Sequence, residues 1–206
     1  MDEICVGNLV VKPGDKKEGF LRTGSRAASN ILVPIVIVNG LKEGPTLSVI
    51  AGEHGCEYCG IEAAVRLCRD IQPKDLSGKL IVIPVANVPA FEEHALFVCP
   101  IDGVNIYTTF PGSLDGSISY AMAYNIFNEV VLKSNYVVHL HGGDANEALV
   151  PFTYFAVTGN KEIDEVSENM ARLFPVDYVF PMGQPVKTET RATAPKGTSY
   201  STSAVG

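Results

Sequence analysis

The chain has 206 residues, enough for one domain, and 46% of them are apolar against 19% charged, which argues for a sizeable core and against disorder. A net charge of −7 argues against a nucleic-acid partner, which needs a basic patch. No apolar run approaches the roughly 20 residues of a membrane span, the acidic start of residues 1–11 is not that of a signal peptide, and the five cysteines lack a framework spacing and suit reduced thiols in a cytoplasm.

In chain order, residues 4–11 read as an opening strand closed by Pro13-Gly14-Asp15. Residues 16–30 are polar and contain glycines, and read as a hairpin or loop. Residues 31–38 are dense in β-branched side chains and stop at the turn signal Asn39-Gly40. A further strand, residues 46–51, follows Gly44-Pro45. Residues 57–71 carry Ile61, Ala64, Val65 and Cys68 at helical spacing, and Pro73 stops that helix. Residues 80–85 form another buried strand. Strand, helix and strand in this order imply a largely parallel sheet with both faces covered.

Residues 87–116 lack a regular pattern, and a loop of that length with aromatic and proline content reads as ordered and functional. Residues 117–131 predict a helix with Ile118, Ala121, Ile126, Val130 and Val131 on its apolar side. Residues 135–141 and 150–158 predict strands, 161–174 a helix and 178–181 a short strand. Residues 188–198 read as polar loop, and 199–206, rich in small residues, as the start of a further element.

The chain is organised around Ala51-Gly52-Glu53-His54-Gly55-Cys56-Glu57-Tyr58, where a buried strand meets a helix. His54 and Glu57 stand three residues apart, so an imidazole and a carboxylate can converge on one point, as a zinc site requires. The bare pair is read first as an ordinary helix start, with Glu57 favoured by the helix dipole, and it is the neighbouring residues that turn the reading toward metal. The strand ending in His139-Leu140-His141, followed by Gly142-Gly143-Asp144, offers a third ligand, because open α/β sheets hold ligands at strand ends. Cys56 and Cys59 form a C-x-x-C, read as one cysteine beside the site and one packed on the helix, since no second pair exists. His94, beside Glu92 and Glu93, reads as a solvated loop histidine. Arg22, Arg26, Arg191 and Lys196 are candidate substrate cations, each read first as a surface charge.

With these residues in view, the chain resembles the succinylglutamate desuccinylase/aspartoacylase family of zinc amidohydrolases, relatives of the zinc carboxypeptidases. Gly52-Glu53-His54-Gly55-Cys56-Glu57-Tyr58-Cys59-Gly60 is similar to the family's G-x-H-G-x-E-Y-x-G segment. Asn87-Val88-Pro89-Ala90 is similar to its Asn-x-Pro turn. Asp102-Gly103-Val104-Asn105 with Phe110-Pro111-Gly112 is similar to its D-G-x-N-x-N-R-x-F-P-G loop, and His139-Leu140-His141 to its D-L-H strand end. The resemblance covers roughly residues 20–206. It implies a three-layer α/β sandwich with a mostly parallel mixed sheet, carboxypeptidase-like, as a single domain over residues 1–206. It implies one zinc ion per chain on His54, Glu57 and His141, with a coordination position left open for a catalytic water. The implied activity is hydrolysis of the amide of a small N-acyl amino acid or similar compound. The implied partners are that small molecule alone, with a homo-oligomer left open.

Departures from the pattern qualify these expectations. The family's Asn-Arg pair, which grips substrate, falls at Tyr107-Thr108, so bidentate recognition of a carboxylate is lost there. The Asp of D-L-H is His139, so an imidazole stands where a carboxylate would orient a ligand; alternation puts it on the same strand face as His141, and it is read first as a hydrogen-bonded residue beside the site, with binding of metal itself as the alternative. The family's general-base glutamate lies in a strand after the segment matching residues 196–206, so the chain reads as C-terminally incomplete, or as a catalytically impaired relative that binds metal or a small ligand without turnover. Asp144 is the candidate substitute base and Tyr107 a candidate donor to the developing oxyanion. Asn105, Tyr107, Thr108 and His139 are the candidate substrate contacts.

Overall fold

The computed structural model describes residues 2–183 and the strand Ser199–Val205. Strands β1 (Ile4–Val6) and β2 (Leu9–Val11) pair as a small antiparallel hairpin. The main sheet takes β3 (Lys16–Ser25), β4 (Asn30–Asn39), β5 (Lys42–Ala51), β6 (Ser77–Ile83), β7 (Tyr136–Gly142), β8 (Phe152–Ala156), β9 (Tyr178–Met182) and β10 (Ser199–Val205). Its spatial order is β3-β4-β6-β5-β7-β10-β8-β9. Strands β6, β5, β7 and β10 run parallel to their neighbours in this central block, whereas β3, β4 and β8 join antiparallel.

The helices are α1 (Tyr58–Asp70), the short α2 (Val88–Glu92), α3 (Ile118–Glu129) and α4 (Lys161–Ala171). Strand alternation divides the core into two layers. Ile35, Ile37, Ile50, Ile81, Ile83 and Val137 face α3 and its Met122, Ala123 and Ile126. Val38, Val49, Leu80, Val82, Val138 and Leu140 face the opposite way, against Ala64 and Cys68 of α1 and Met170 near the end of α4. The expected three-layer α/β sandwich with a mixed sheet is therefore the observed architecture. From β5 the chain crosses through α1 to β6 on one side, and from β6 through α3 to β7 on the other. Adjacent parallel strands whose connections leave on opposite faces open a crevice at their carboxyl ends. His54 follows one of these ends and His141 lies on the other. Among the described residues no helix is long and apolar enough to cross a membrane.

The structure departs from the sequence expectation in particular elements. Residues 16–30, read as a hairpin or loop, are largely strand: β3 pairs antiparallel with β4 from Lys16↔Val38 to Ser25↔Asn30, with a bulge between Arg22 and Gly24. It is an edge strand that buries Leu21 and Thr23 while Lys17, Glu18 and Arg22 face solvent, and such charged edges mask strand character. Residues 4–11 fold back at Gly7-Asn8 into β1 and β2 rather than running as one strand. Residues 87–116 contain α2 and a short 3-10 turn, Ile106–Thr108. Residues 199–205 add β10 to the middle of the sheet, in parallel register with β7. The polar loop expected at residues 188–198, with Arg191 and Lys196, lies outside the described residues.

Asp102 ties the long loop to α3. Its carboxylate accepts from the Ser117 hydroxyl (2.6 Å), the Ser119 amide (2.8 Å), the Ser119 hydroxyl (2.8 Å) and the Val104 amide (3.2 Å). Burial opposes its charge, but these donors outweigh burial and hold Asp102 below the ordinary aspartate value. Asp102→Ala is expected to cost about 1–3 kcal/mol in urea unfolding at neutral pH. Because the folded value is the lower one, this stabilisation is present above the unfolded value of about 3.9 and disappears as pH falls through the folded one. Equal stability of parent and variant at neutral pH would contradict the tie.

Candidate metal centre

The site begins at the turn from β5 into α1. Gly52 takes φ +67°, a left-handed conformation that costs glycine little. A methyl group on Gly55 would overlap the Ala90 carbonyl, so α2 can approach this turn only because Gly55 has no side chain. Asn87 joins the same two segments. Its amide nitrogen donates to the Glu53 carbonyl (3.2 Å), while its side-chain oxygen caps α2 by accepting from the Ala90 amide (3.3 Å). From the other side the Ala145 amide donates to the Cys56 carbonyl (3.1 Å), which fastens the turn to the segment after β7.

Held this way, His54, Glu57 and His141 converge. Glu57 receives the Nδ1 of His54 on one oxygen at 2.7 Å and the Nδ1 of His141 on the other at 2.8 Å. All three residues are buried, and their candidate ligand atoms lie within 4.8 Å of one another. Donors of a tetrahedral zinc stand about 3.3 Å apart when each bond is about 2.0–2.1 Å. Burial opposes the charge on Glu57, but the two imidazoles outweigh it and hold the carboxyl below the usual glutamate value. Burial likewise opposes protonation of His54, yet Glu57 and Glu53 hold it above the usual histidine value.

A second acid–imidazole pair lies behind the first. Glu53, 1% exposed, faces His139, 3% exposed, with Oε2 3.1 Å from Nδ1. The same Oε2 is 3.4 Å from Nε2 of His141. Burial pushes Glu53 up, but His139 above all, then His141 and His54, bring it below its usual value. Glu53 Oε1 is buried and has no hydrogen-bond partner among the described residues. Glu53, His139 and His141 thus form a second group able to surround an ion, sharing His141 with the first.

The remaining candidates distribute unevenly. Asn105 Oδ1 lies 3.2 Å from His54 Nε2 and accepts from the Tyr107 amide (3.0 Å), so it orients the histidine and caps the 3-10 turn together. Tyr107 sets its ring at 90° to that of His141 with centroids 5.4 Å apart, and its hydroxyl meets that of Tyr154 at 3.1 Å. Thr108, expected at the substrate, is exposed and donates its hydroxyl to the Asn105 carbonyl (2.9 Å), a bond within its own turn. His139, also expected to touch substrate, is enclosed beside Glu53, because inward alternation along β7 buries it. Asp144 is buried with Oδ1 lacking a hydrogen-bond partner, and burial followed by Glu57 raises its carboxyl above the usual value. Cys56 donates its thiol to the His94 carbonyl (3.1 Å), and His94 Nδ1 meets the Tyr58 hydroxyl at 3.0 Å, which makes this histidine part of the local bonding rather than merely solvated. Arg22 bonds Ser25 on the sheet edge, away from the site. Phe97, which no sequence feature marked, is half exposed with its ring 5.6 Å from that of His54.

Known proteins resemble this chain in sequence and fold. The sequence profile of the Succinylglutamate desuccinylase/Aspartoacylase catalytic domain matches residues 43–202. N-alpha-acetyl-L-2,4-diaminobutyric acid deacetylase of Halomonas elongata is 30% identical over 170 residues, which are 81% of this chain and 49% of that protein. The chain thus spans about half the length of this curated relative. A succinylglutamate desuccinylase from Silicibacter sp. TM1040 superposes with a TM-score of 0.82 at 26% identity, over 93% of this chain and 59% of its own. The product-bound ectoine utilization protein EutE (DoeB) of Ruegeria pomeroyi superposes at 0.80 and 26% identity, over 93% of this chain and 60% of its own.

The buried Glu53–His139 pair generates a stability prediction. His139→Ala removes the foremost partner of a fully buried carboxylate, which is expected to cost about 3–5 kcal/mol in urea unfolding. Replacing Glu53 by Gln in the same background removes the stranded charge and is expected to recover part of that loss. A His139→Ala cost below about 1 kcal/mol would show that Glu53 does not depend on this imidazole.

Proposed function

The chain belongs to the succinylglutamate desuccinylase/aspartoacylase family, and on that premise we propose that it is a zinc-dependent amidohydrolase removing the acyl group from a small N-acylated amino acid. Residues 1–206 are read as one α/β hydrolase unit carrying one zinc ion. The observation that carries the reading is the convergence of two imidazole Nδ1 atoms on opposite oxygens of the buried Glu57 carboxylate. Two imidazoles and one carboxylate suit zinc, and they fit the ion because each donor is a good ligand already held by the fold.

His54, Glu57 and His141 would hold the ion. Zinc in such a set supplies Lewis acidity that polarises an amide carbonyl and lowers the pKa of a water molecule. Asn105 keeps the His54 ring oriented through Nε2, leaving Nδ1 for the metal side. The Tyr107 phenol, beside His141, is the candidate donor to a carbonyl oxygen that gains negative charge. Asp144 is the candidate proton acceptor: its raised pKa moves it toward the range in which a carboxylate exchanges protons effectively, and one oxygen is available. Phe97 and Tyr107 form an aromatic wall over His54 that limits water around the scissile amide. The first substrates to test are Nα-acetyl amino acids, N-acetyl-L-2,4-diaminobutyrate among them, because that compound gives the Halomonas relative its name.

A second reading, a relative that binds zinc without turnover, draws on Tyr107-Thr108 standing where the family carries Asn-Arg. Zinc analysis of chain purified without chelator is expected to give about one ion per chain, falling below about 0.1 in His141→Ala. Parent protein without zinc would overturn the proposal. Stoichiometric zinc with no acetate released from any Nα-acetyl amino acid would favour the second reading. Where turnover is measured, Asp144→Asn is expected to lower kcat by about 100-fold or more. The acid limb of the parent's pH profile should lie above the ordinary aspartate value, since the basic form of Asp144 is lost as pH falls through its raised pKa; an unchanged kcat in Asp144→Asn would remove this residue from the mechanism.

A further inference from the structure

An imidazole ligand must keep its second nitrogen protonated and bonded, and that requirement isolates one group here. His141 turns Nδ1 to Glu57 at 2.8 Å, and its Nε2 is buried without a hydrogen-bond partner meeting full geometry among the described residues. The carboxylate nearest Nε2 is Glu53, with Oε2 at 3.4 Å. That oxygen also meets His139 Nδ1 at 3.1 Å, while Oε1 remains unengaged among the described residues. A carboxylate has about four lone-pair sites, so it can accept from both imidazoles.

We propose that Glu53 is the positioning residue of the metal centre: it receives the Nε2 proton of His141, so that Nδ1 keeps its lone pair for the ion. The inference rests on the zinc reading of His54, Glu57 and His141. It gives a reason for the imidazole at position 139, where the family pattern has an acid, and for the buried acid at position 53 that faces it. With an imidazole on β7, the acid that orients His141 is supplied from the β5–α1 turn, and His139 in turn holds Glu53 in place and balances its buried charge.

The same chemistry decides between the two possible ion sites. A neutral imidazole has one lone-pair nitrogen, so His141 can serve the His54–Glu57 group through Nδ1 or the Glu53–His139 group through Nε2, but not both. Glu53 and His139 are 1% and 3% exposed, enclosed from any substrate. His54 lies against Phe97, Tyr107 and Asn105 of the long loop, of which Phe97 is half exposed. The ion therefore belongs with Glu57, and Glu53 acts through His141. A histidine ligand backed by a carboxylate is a stronger donor in a fixed orientation, and loss of such a partner weakens metal binding by about 10–100-fold.

The test is zinc affinity by competition with a chromophoric chelator, together with the visible spectrum of the cobalt-substituted protein. The proteins are the parent, Glu53→Gln, and Glu53→Gln combined with His139→Asp. The parent is expected to take up one ion, Glu53→Gln to bind zinc at least about 10-fold more weakly with an altered cobalt spectrum, and the double variant to recover most of both, since positions 139 and 141 share a strand face. Should Glu53→Gln fail to fold, Glu53→Asp, which keeps the charge but shortens its reach, is expected to show a smaller loss in the same direction. Unchanged affinity and spectrum in Glu53→Gln or its substitute would overturn the inference while leaving the zinc site intact. So would two ions per chain in the parent, or weakened binding with an unaltered cobalt spectrum and no recovery in the double variant, which would mark Glu53 as packing only. No zinc uptake by the parent would overturn the zinc reading and this inference with it.

Discussion

The structure turns on one buried carboxylate, Glu57, held between two imidazoles that arrive from different strands. A buried charge is tolerated only when it is paired and hydrogen-bonded, so His54 and His141 must come within bonding distance of it. That requirement fixes the relation of β5 to β7. The two strands pair directly in parallel register, with Ile50 beside His139 and Ala51 beside Leu140. A slip of one residue would turn both histidines of β7 to the opposite face, into the apolar layer under α1. The aliphatic partners of this register, Val137 on one face and Val138 and Leu140 on the other, therefore protect the chemistry by making the slip costly.

The acids and imidazoles of the site alternate in space: Asn105 and Glu57 flank His54, Glu57 and Glu53 flank His141, and His139 closes the series against Glu53. Each carboxylate is stabilised by the histidines beside it, and burial opposes every charge in the group. Such a cluster is a poor way to gain stability, because apolar residues of equal volume would serve as well or better. Its persistence in the interior is more simply explained by ligand chemistry. Asp144 differs from this group, since burial and Glu57 both disfavour its charge and no imidazole outweighs them. Two carboxylates close to one centre are thereby pushed in opposite directions, the usual arrangement where one holds a ligand and another handles protons.

Much of this was legible in the sequence where local pattern and tertiary demand agree. The β-branched runs at residues 31–38 and 80–85 are central strands, as their composition requires, and the spacing of His54 and Glu57 with a strand-end His141 identified the converging trio. Edge strand β3 was hidden because its outward residues are charged, and β10 because Ser199-Tyr200-Ser201-Thr202-Ser203-Ala204-Val205 has no apolar alternation although it sits between β7 and β8. Spacing could not reveal the Glu53–His139 pair, since 86 residues separate its members. One half of the signal was present as a departure from the family pattern, the imidazole of His139, but only the parallel register of β5 and β7 shows that Glu53, at an unspecified position of its motif, answers it. The local role of Thr108 was equally hidden, since only the folded 3-10 turn shows its hydroxyl donating to the chain's own backbone.

The aromatic residues on the open side of His54 bear on what the site can select. Tyr107 stands where the family carries the asparagine of its substrate-gripping pair, and Thr108, at the arginine position, bonds the backbone of its own turn. Among the described residues the rings of Phe97 and Tyr107 meet His54, and none of its bonds involves a cation. A wall of this kind acts on the solvent. Rings packed against buried imidazoles lower the local dielectric and strengthen each charge interaction at the centre. Tyr107 thus sets an aromatic ring where the family pattern has an amide, and that ring packs against both His54 and His141.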